Sequence, residues 1–219
     1  VEEPPIPPLF FGRMPSKIFL LSPANVSGLR ARQLTSPRAG FHAALQYRSA
    51  EGVPVCDAFA FMSSLYFRGK IAYARRFAVP CPRVGGDGIF VITPGFGLVS
   101  PDWRLTEERM KTLRKTDVDV KVRSYAKPLR EHARLLAETL EEGAEVVLLG
   151  SVATGKYVDI LLPAFRDRLR FPTAFAGLGD MSRGGLMLRA VREDKELLYT
   201  SLDAPRHRQP GQSGKMPPL

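Results

Sequence analysis

The sequence predicts an α/β protein with a mostly parallel central sheet and helices on both of its faces, in a single domain. Three observations carry this reading. Short, continuously apolar, β-branched runs recur along the chain; stretches with helical periodicity separate them; and Gly, Pro or Ser bounds each run. A strand covered on both faces is apolar throughout rather than alternating, which is the pattern of IFLL (Ile18 to Leu21), IFVIT (Ile89 to Thr93) and VVLL (Val146 to Leu149).

In chain order, residues 1–16 form a Pro-rich arm, because Pro4, Pro5, Pro7 and Pro8 lack backbone donors and favour extended chain. The domain proper is expected over residues 17–202, and 203–219 read as a Pro, Gly and Gln tail. After IFLL, Asp57 to Phe77 is helix-like and apolar on several sides, with Gly69 in its middle, and reads either as one buried helix or as two shorter ones meeting there. IFVIT follows. From Pro128 to Glu142 the apolar positions Leu129, Ala133, Leu136 and Leu140 share one helical face, with Pro128 suited to the first turn and Gly143 to the stop. VVLL comes next, and Leu186 to Val191 and Leu197 to Thr200 are expected to pair as a hairpin at the end. A β, α, β, α, β, α succession predicts a doubly wound sheet.

Composition narrows the function classes. A length of 219 residues with 44% hydrophobic content is enough for one core. The formal charge of +10 favours a polyanionic partner such as a nucleotide or nucleic acid. Cys56 and Cys81 belong to no CxxC or Cys/His cluster, and His42, His132 and His207 are scattered, so no metal, cofactor, disulfide framework or His-based triad is expected. No run approaches the roughly 20 apolar residues of a membrane span. The start lacks a charged segment followed by an apolar one. These features read as a cytoplasmic protein without membrane contact, and no motif specifies an oligomeric state.

Ligands of open parallel sheets bind beyond the carboxyl ends of the strands, where loops and helix N-termini converge. Three loops qualify: Ser22 to Arg30, Thr93 to Asp102, and Gly150 to Tyr157. Ser22, Asn25, Thr93 and Gly97 are their candidate substrate-binding residues. Gly150, Gly155 and Lys156 have the spacing of a phosphate-binding P-loop, but Tyr157 stands where a Ser or Thr would ligate magnesium, and no strand ends in a Walker B aspartate. Two simpler readings compete: Ser151, Thr154, Gly155 and Lys156 as an anion-binding helix start, or a plain strand-to-helix turn.

Asp102 is either a general base, a ribose-hydroxyl acceptor or the cap of a helix beginning near Leu105. Gly177 to Arg189 holds four glycines with Asp180, Ser182 and Arg183. It is either a loop that wraps a ligand and turns the Arg183 fork onto phosphate, with Asp180 as a second candidate base, or a turn into a strand. Arg30, Arg32, Arg38 and Arg48, and then Arg68, Lys70, Arg75, Arg76 and Arg83 around Tyr66, Phe67 and Tyr73, are basic runs without acidic neighbours. They form either a groove for single-stranded nucleic acid or a solvated face.

The succession IFLLSPA, LYFRGKIAYARRF, VITPGFGLVSPD, KYVDILLPAF and FPTAFAGLGD resembles the uracil-DNA-glycosylase-like domain of archaeosine synthases, and more distantly the YaaA proteins, over roughly Ile18 to Leu188. The matching positions are Tyr66, Arg68, Gly97, Leu98, Asp102 and Tyr157. Pro94 and the GLGDMSRGG stretch depart from the pattern. The resemblance implies an α/β fold used around nucleic acids or modified nucleobases, with an N-glycosidic bond as a target. Water activation beside a flipped base would then fall to Asp102, Asp180 or Asn25. A non-catalytic module that docks nucleic acid or protein through a basic surface is the alternative.

Overall fold

A computed structural model describes residues 15–202. The arm, apart from Pro15 and Ser16, and the tail from residue 203 lie outside the described residues. Six strands form one sheet in the order β4-β3-β1-β6-β7-β8. At its centre β1 (Lys17–Leu21) pairs in parallel with β3 (Ile89–Thr93) and with β6 (Glu145–Leu149). The three apolar runs are thus the three central strands, because only such runs tolerate neighbours on every side. Beyond β6 lies β7 (Leu169–Pro172), also parallel, while β4 (Gly97–Val99) and β8 (Tyr199–Ser201) close the two edges antiparallel. A separate two-stranded ladder joins β2 (Val53–Pro54) to β5 (Arg104–Leu105).

Side-chain alternation along β1 sends its residues into two different buried clusters. Phe19 and Leu21 enter one with Phe67, Tyr73 and Met187, and Ile18 and Leu20 enter the other with Leu129, Ala133 and Leu161. The first cluster is built largely on α3 (Val55–Phe77) and α7 (Asp180–Arg192), the second on α5 (Arg123–Thr139) and α6 (Val158–Phe165). Shorter helices α1 (Leu29–Leu34) and α2 (His42–Arg48) follow β1, and α4 (Glu107–Lys115) follows β5.

Four expectations are corrected. The break in α3 falls at Ser64, whose φ of 47° and ψ of −122° leave helical space, and not at Gly69. Nineteen residues of straight helix span roughly 28 Å, yet Arg75 Nη2 lies 3.8 Å from Cys56 Sγ. The helix therefore doubles back at Ser64, and Phe59 meets Phe67 edge to face across the bend with centroids 5.4 Å apart. Second, α5 starts five residues before Pro128, which lies inside it.

Third, Leu186 to Val191 is helical, within α7, and makes no hairpin. Gly184, Met187 and Ala190 are its buried residues, a three-residue spacing that belongs to a helix face. Strand β8 pairs with β7 instead. Fourth, the cap near residue 105 is Thr106, whose hydroxyl accepts from Arg109 N ahead of α4, so Asp102 caps nothing there.

A buried lysine at the carboxyl ends of the central strands

The chain leaves β1 for β3 on one side and returns through β6 on the other, so connections diverge at the β1–β6 boundary. In an open parallel sheet this is where a crevice opens beyond the carboxyl ends. Ser22 follows β1 there, and Gly150 follows β6. They touch closely: a Cβ on Gly150 would stand 3.0 Å from Ser22 Cβ and 3.2 Å from its Oγ.

Into this boundary the second half of α3 delivers Lys70. Only 1% exposed, Lys70 donates through Nζ to the Ser22 carbonyl at 2.7 Å and to Ser22 Oγ at 2.8 Å. The ring of Tyr66, one helical turn earlier, lies 4.1 Å from Nζ, and that of Phe67 5.1 Å. Burial disfavours the ammonium and pushes the Lys70 pKa down to about 7. Asp180 opposes this, while Arg183 and Lys156 add to it.

Tyr66 is 6% exposed, and its hydroxyl has no hydrogen-bond partner of sound geometry. Burial raises its pKa, whereas Arg183 and Ser22 stand close enough to favour the phenolate. Ser22 and Arg183 are thus neighbours of the hydroxyl without being aligned hydrogen-bond partners. Tyr157, 4% exposed, is raised by burial in the same surroundings and faces Tyr66, Asp180 and Ser22.

The α3–α7 crossing makes this convergence possible. A Cβ on Gly69 would meet Gly184 O at 2.7 Å, and one on Gly184 would meet Leu65 O at 2.8 Å. Two glycines in register let the backbones touch, which brings the first turn of α7 beside Tyr66 and Lys70. Arg183 is held there by its own chain, since Nε and Nη2 both donate to Phe175 O, at 3.2 and 3.1 Å. Its Nη1 lies 3.7 Å from Asp180 Oδ1, in an ion pair whose acidic partner is 69% exposed.

Ser22, Tyr66, Lys156, Tyr157, Asp180 and Arg183, all singled out in the sequence, thus surround one point. Others are placed elsewhere. Asp102 acts on Cys56, which also feels Asp57 and Arg75. The Thr93 hydroxyl donates to Gly97 O within the β3–β4 turn. At Gly97, φ is 73° and a Cβ would clash with Pro128 O and His132 Nδ1, so this glycine serves the packing of α5 against β4. Asn25 Oδ1 accepts from Ser27 N in a local turn, and Arg68 and Ser182 are exposed.

The Gly150 to Lys156 segment is not an open phosphate cradle. A Cβ on Gly155 would stand 2.5 Å from Asp159 Oδ2, so a carboxylate already fills the space over the loop at the start of α6. Ser151 Oγ accepts from Ala153 N at 3.4 Å, Thr154 is exposed, and the Lys156 carbonyl accepts from Tyr125 Oη at 2.9 Å. Of this string, Lys156 and Tyr157 reach the Ser22 site.

The basic runs are also largely occupied. Arg30 donates to Phe61 O, Arg32 to Ser27 O, and Arg48 to Ser36 O and Ala39 O, so these guanidinium groups hold loop carbonyls in place. Lys70 is the residue that charge-run reasoning misplaced. Its signal is position: it lies one turn after Tyr66 and one before Tyr73 and Ala74, on a helix face that is otherwise apolar, where a lysine has no solvent to reach. Among the described residues no helix is long and apolar enough to cross a membrane. No family model, curated protein or solved structure matches the chain.

Proposed function

We propose that the chain is a nucleotide- or nucleic-acid-directed protein that receives a phosphate-bearing ligand at the β1–β6 boundary. The observation that carries this reading is an under-neutralised positive centre. Lys70 is buried, Arg183 and Lys156 stand in its field, and Asp180, the carboxylate that acts on it among the described residues, is mostly in water. Buried cations are normally paired. An anion brought between Arg183, Lys156 and the first turn of α7 would supply the missing charge, and it would give the Tyr66 hydroxyl an acceptor.

A carboxyl-end crevice at a switch point is where doubly wound sheets hold nucleotides, and the charge of +10 favours such partners. For cleavage of an N-glycosidic bond, Asp180 would be the base that activates water, a reading supported by its action on Tyr66, whereas Asp102 acts on Cys56.

Calorimetric titration separates the possibilities. A nucleoside 5′-monophosphate and inorganic phosphate are expected to bind where the nucleoside alone binds at least about tenfold more weakly. Arg183→Ala should cost about 10- to 100-fold, the worth of a charge-assisted contact. Equal binding of nucleoside and nucleotide would count against the site. Binding of single-stranded nucleic acid that falls steeply with salt and survives Arg183→Ala would indicate the basic docking module instead.

A further inference from the structure

We propose that Ser22 and Lys70 form a nucleophile–base pair, with Tyr66 as oxyanion donor, that transfers an acyl group from an ester to Ser22 Oγ and then to water. This inference goes beyond ligand binding, and it stands on the Ser22–Lys70 contact rather than on the phosphate reading.

The contact has the geometry of an activated serine. Lys70 Nζ lies 2.8 Å from Ser22 Oγ, and its second bond, to Ser22 O at 2.7 Å, holds the amine in place. A protonated amine only donates. Once neutral, it keeps two N–H groups and gains a lone pair, so it can go on donating to Ser22 O while accepting the Oγ proton. Burial and the neighbouring Arg183 and Lys156 make that neutral form accessible at about pH 7. A serine that only needed holding would be served by any donor; a lysine stripped of solvent and given no carboxylate partner is suited to take a proton.

Two further features fit. Gly150 leaves the flank of Ser22 Oγ without a side chain, where a Cβ would stand 3.2 Å from the oxygen. The Tyr66 hydroxyl is buried, unpartnered and adjacent to Ser22, so its hydrogen can meet an oxygen that turns negative during reaction.

In the first step a bond forms between Ser22 Oγ and the ester carbonyl carbon, the Oγ proton passes to Lys70 Nζ, and the carbonyl oxygen becomes an oxyanion facing Tyr66. The ester C–O bond then breaks as Lys70 returns the proton to the departing alcohol. Water attacks the acyl-serine by the same route, giving a carboxylic acid and restoring Ser22. Water is the co-reactant, and no oxidant or reductant is required.

A fluorophosphonate reagent tests this on the full chain, read by intact mass and peptide mapping. The Ser22 Oγ–P bond forms, the P–F bond breaks, fluoride leaves and Lys70 takes the proton. The expected result is one label on Ser22, at a rate that rises as pH passes through about 7. Ser22→Ala should take no label, and Lys70→Arg, charged but unable to act as base, should react about 100-fold more slowly. Tyr66→Phe should slow labelling by about 100-fold at unchanged thermal midpoint.

A folded wild-type chain that leaves Ser22 unlabelled would overturn the proposal. So would labelling at a rate that ignores pH between 6 and 9, a measurement that needs no variant to fold. Inorganic phosphate should slow labelling, because an anion beside Arg183 and Lys156 offsets their field and favours the protonated, non-basic form of Lys70. Labelling of Ser22 unaffected by phosphate would leave the pair standing and remove the anion site.

Discussion

The two ends of β1 are built from the same residue types and differ in how completely those residues are paired. At the start of the strand, Lys17 forms an ion pair with Glu196 at 2.7 Å, Tyr199 donates to that carboxylate, and Tyr199 and Tyr73 share a hydrogen bond. The Tyr73 oxygen also accepts from Leu197 N. At the other end, Lys70 has a serine in place of a carboxylate, and Tyr66 has no aligned partner. One lysine and two tyrosines make a closed network below and an open one above. Closure stabilises a fold; incompleteness leaves interactions for something else to make.

The difference predicts opposite responses to pH and mutation. The largest effect is expected from proton linkage at Lys70. Its folded pKa is lowered from 10.5 to about 7, so between these values the unfolded chain binds more protons than the folded one. Stability should therefore rise with pH across that window, on the order of a few kcal/mol. Below about pH 7 the full cost of burying the ammonium is present. Urea unfolding at pH 7, 8 and 9.5 reads this directly, and Lys70→Met should flatten the trend. Above pH 10 the closed end works in the reverse sense, because Tyr73 is raised to about 12 and Tyr199 also upward, both chiefly by burial. A wild-type curve already flat between pH 7 and 9.5 would mean that Lys70 is not buried as described.

Next in size is the glycine contact that assembles the open end. Gly184→Val puts carbon where Leu65 O and Tyr66 Cα already lie, and should cost about 3 kcal/mol. The closed end depends on other contacts, so its network should survive. Hydrogen exchange would show protection lost around Tyr66 and Arg183 before it is lost around Tyr199. Smallest, and sharpest as a comparison, is the pair of hydroxyl deletions. Tyr73→Phe removes a hydroxyl with two partners and should destabilise by about 1 kcal/mol, while Tyr66→Phe removes one with none and should be neutral or slightly stabilising. Equal losses in the two variants, measured by denaturant midpoints, would erase the distinction between the ends.

How far the site was legible follows from how local each signal is. Ser22, Lys156 and Tyr157 sit where strands end, and strand ends are visible in apolar runs; Arg183 and Asp180 stood out by composition. The helical nature of α7 was hidden because Leu186 to Val191 is a continuous apolar stretch broken by one arginine, a pattern that short strands and buried helix segments share. In the same stretch Gly184 looks like a turn residue and is instead a point of contact between helix backbones. Asp102 beside a glycine-rich turn suggested catalysis, yet Thr106 caps the next helix and Cys56 is the group that Asp102 influences.

What the sequence determines by itself are the three parallel strands, the loops that follow them, and the helical face of Leu129, Ala133 and Leu136. These depend on side-chain period and apolarity over a few neighbouring residues. Tertiary structure alone decides that α3 reverses at Ser64, that Gly69 meets Gly184, and that Lys70 faces Ser22 rather than water. The bond between Lys70 and Ser22 joins positions 48 residues apart. Whether a charge is buried is a property of what packs over it, and at Lys70 that cover comes from helices and strands that no local pattern brings together.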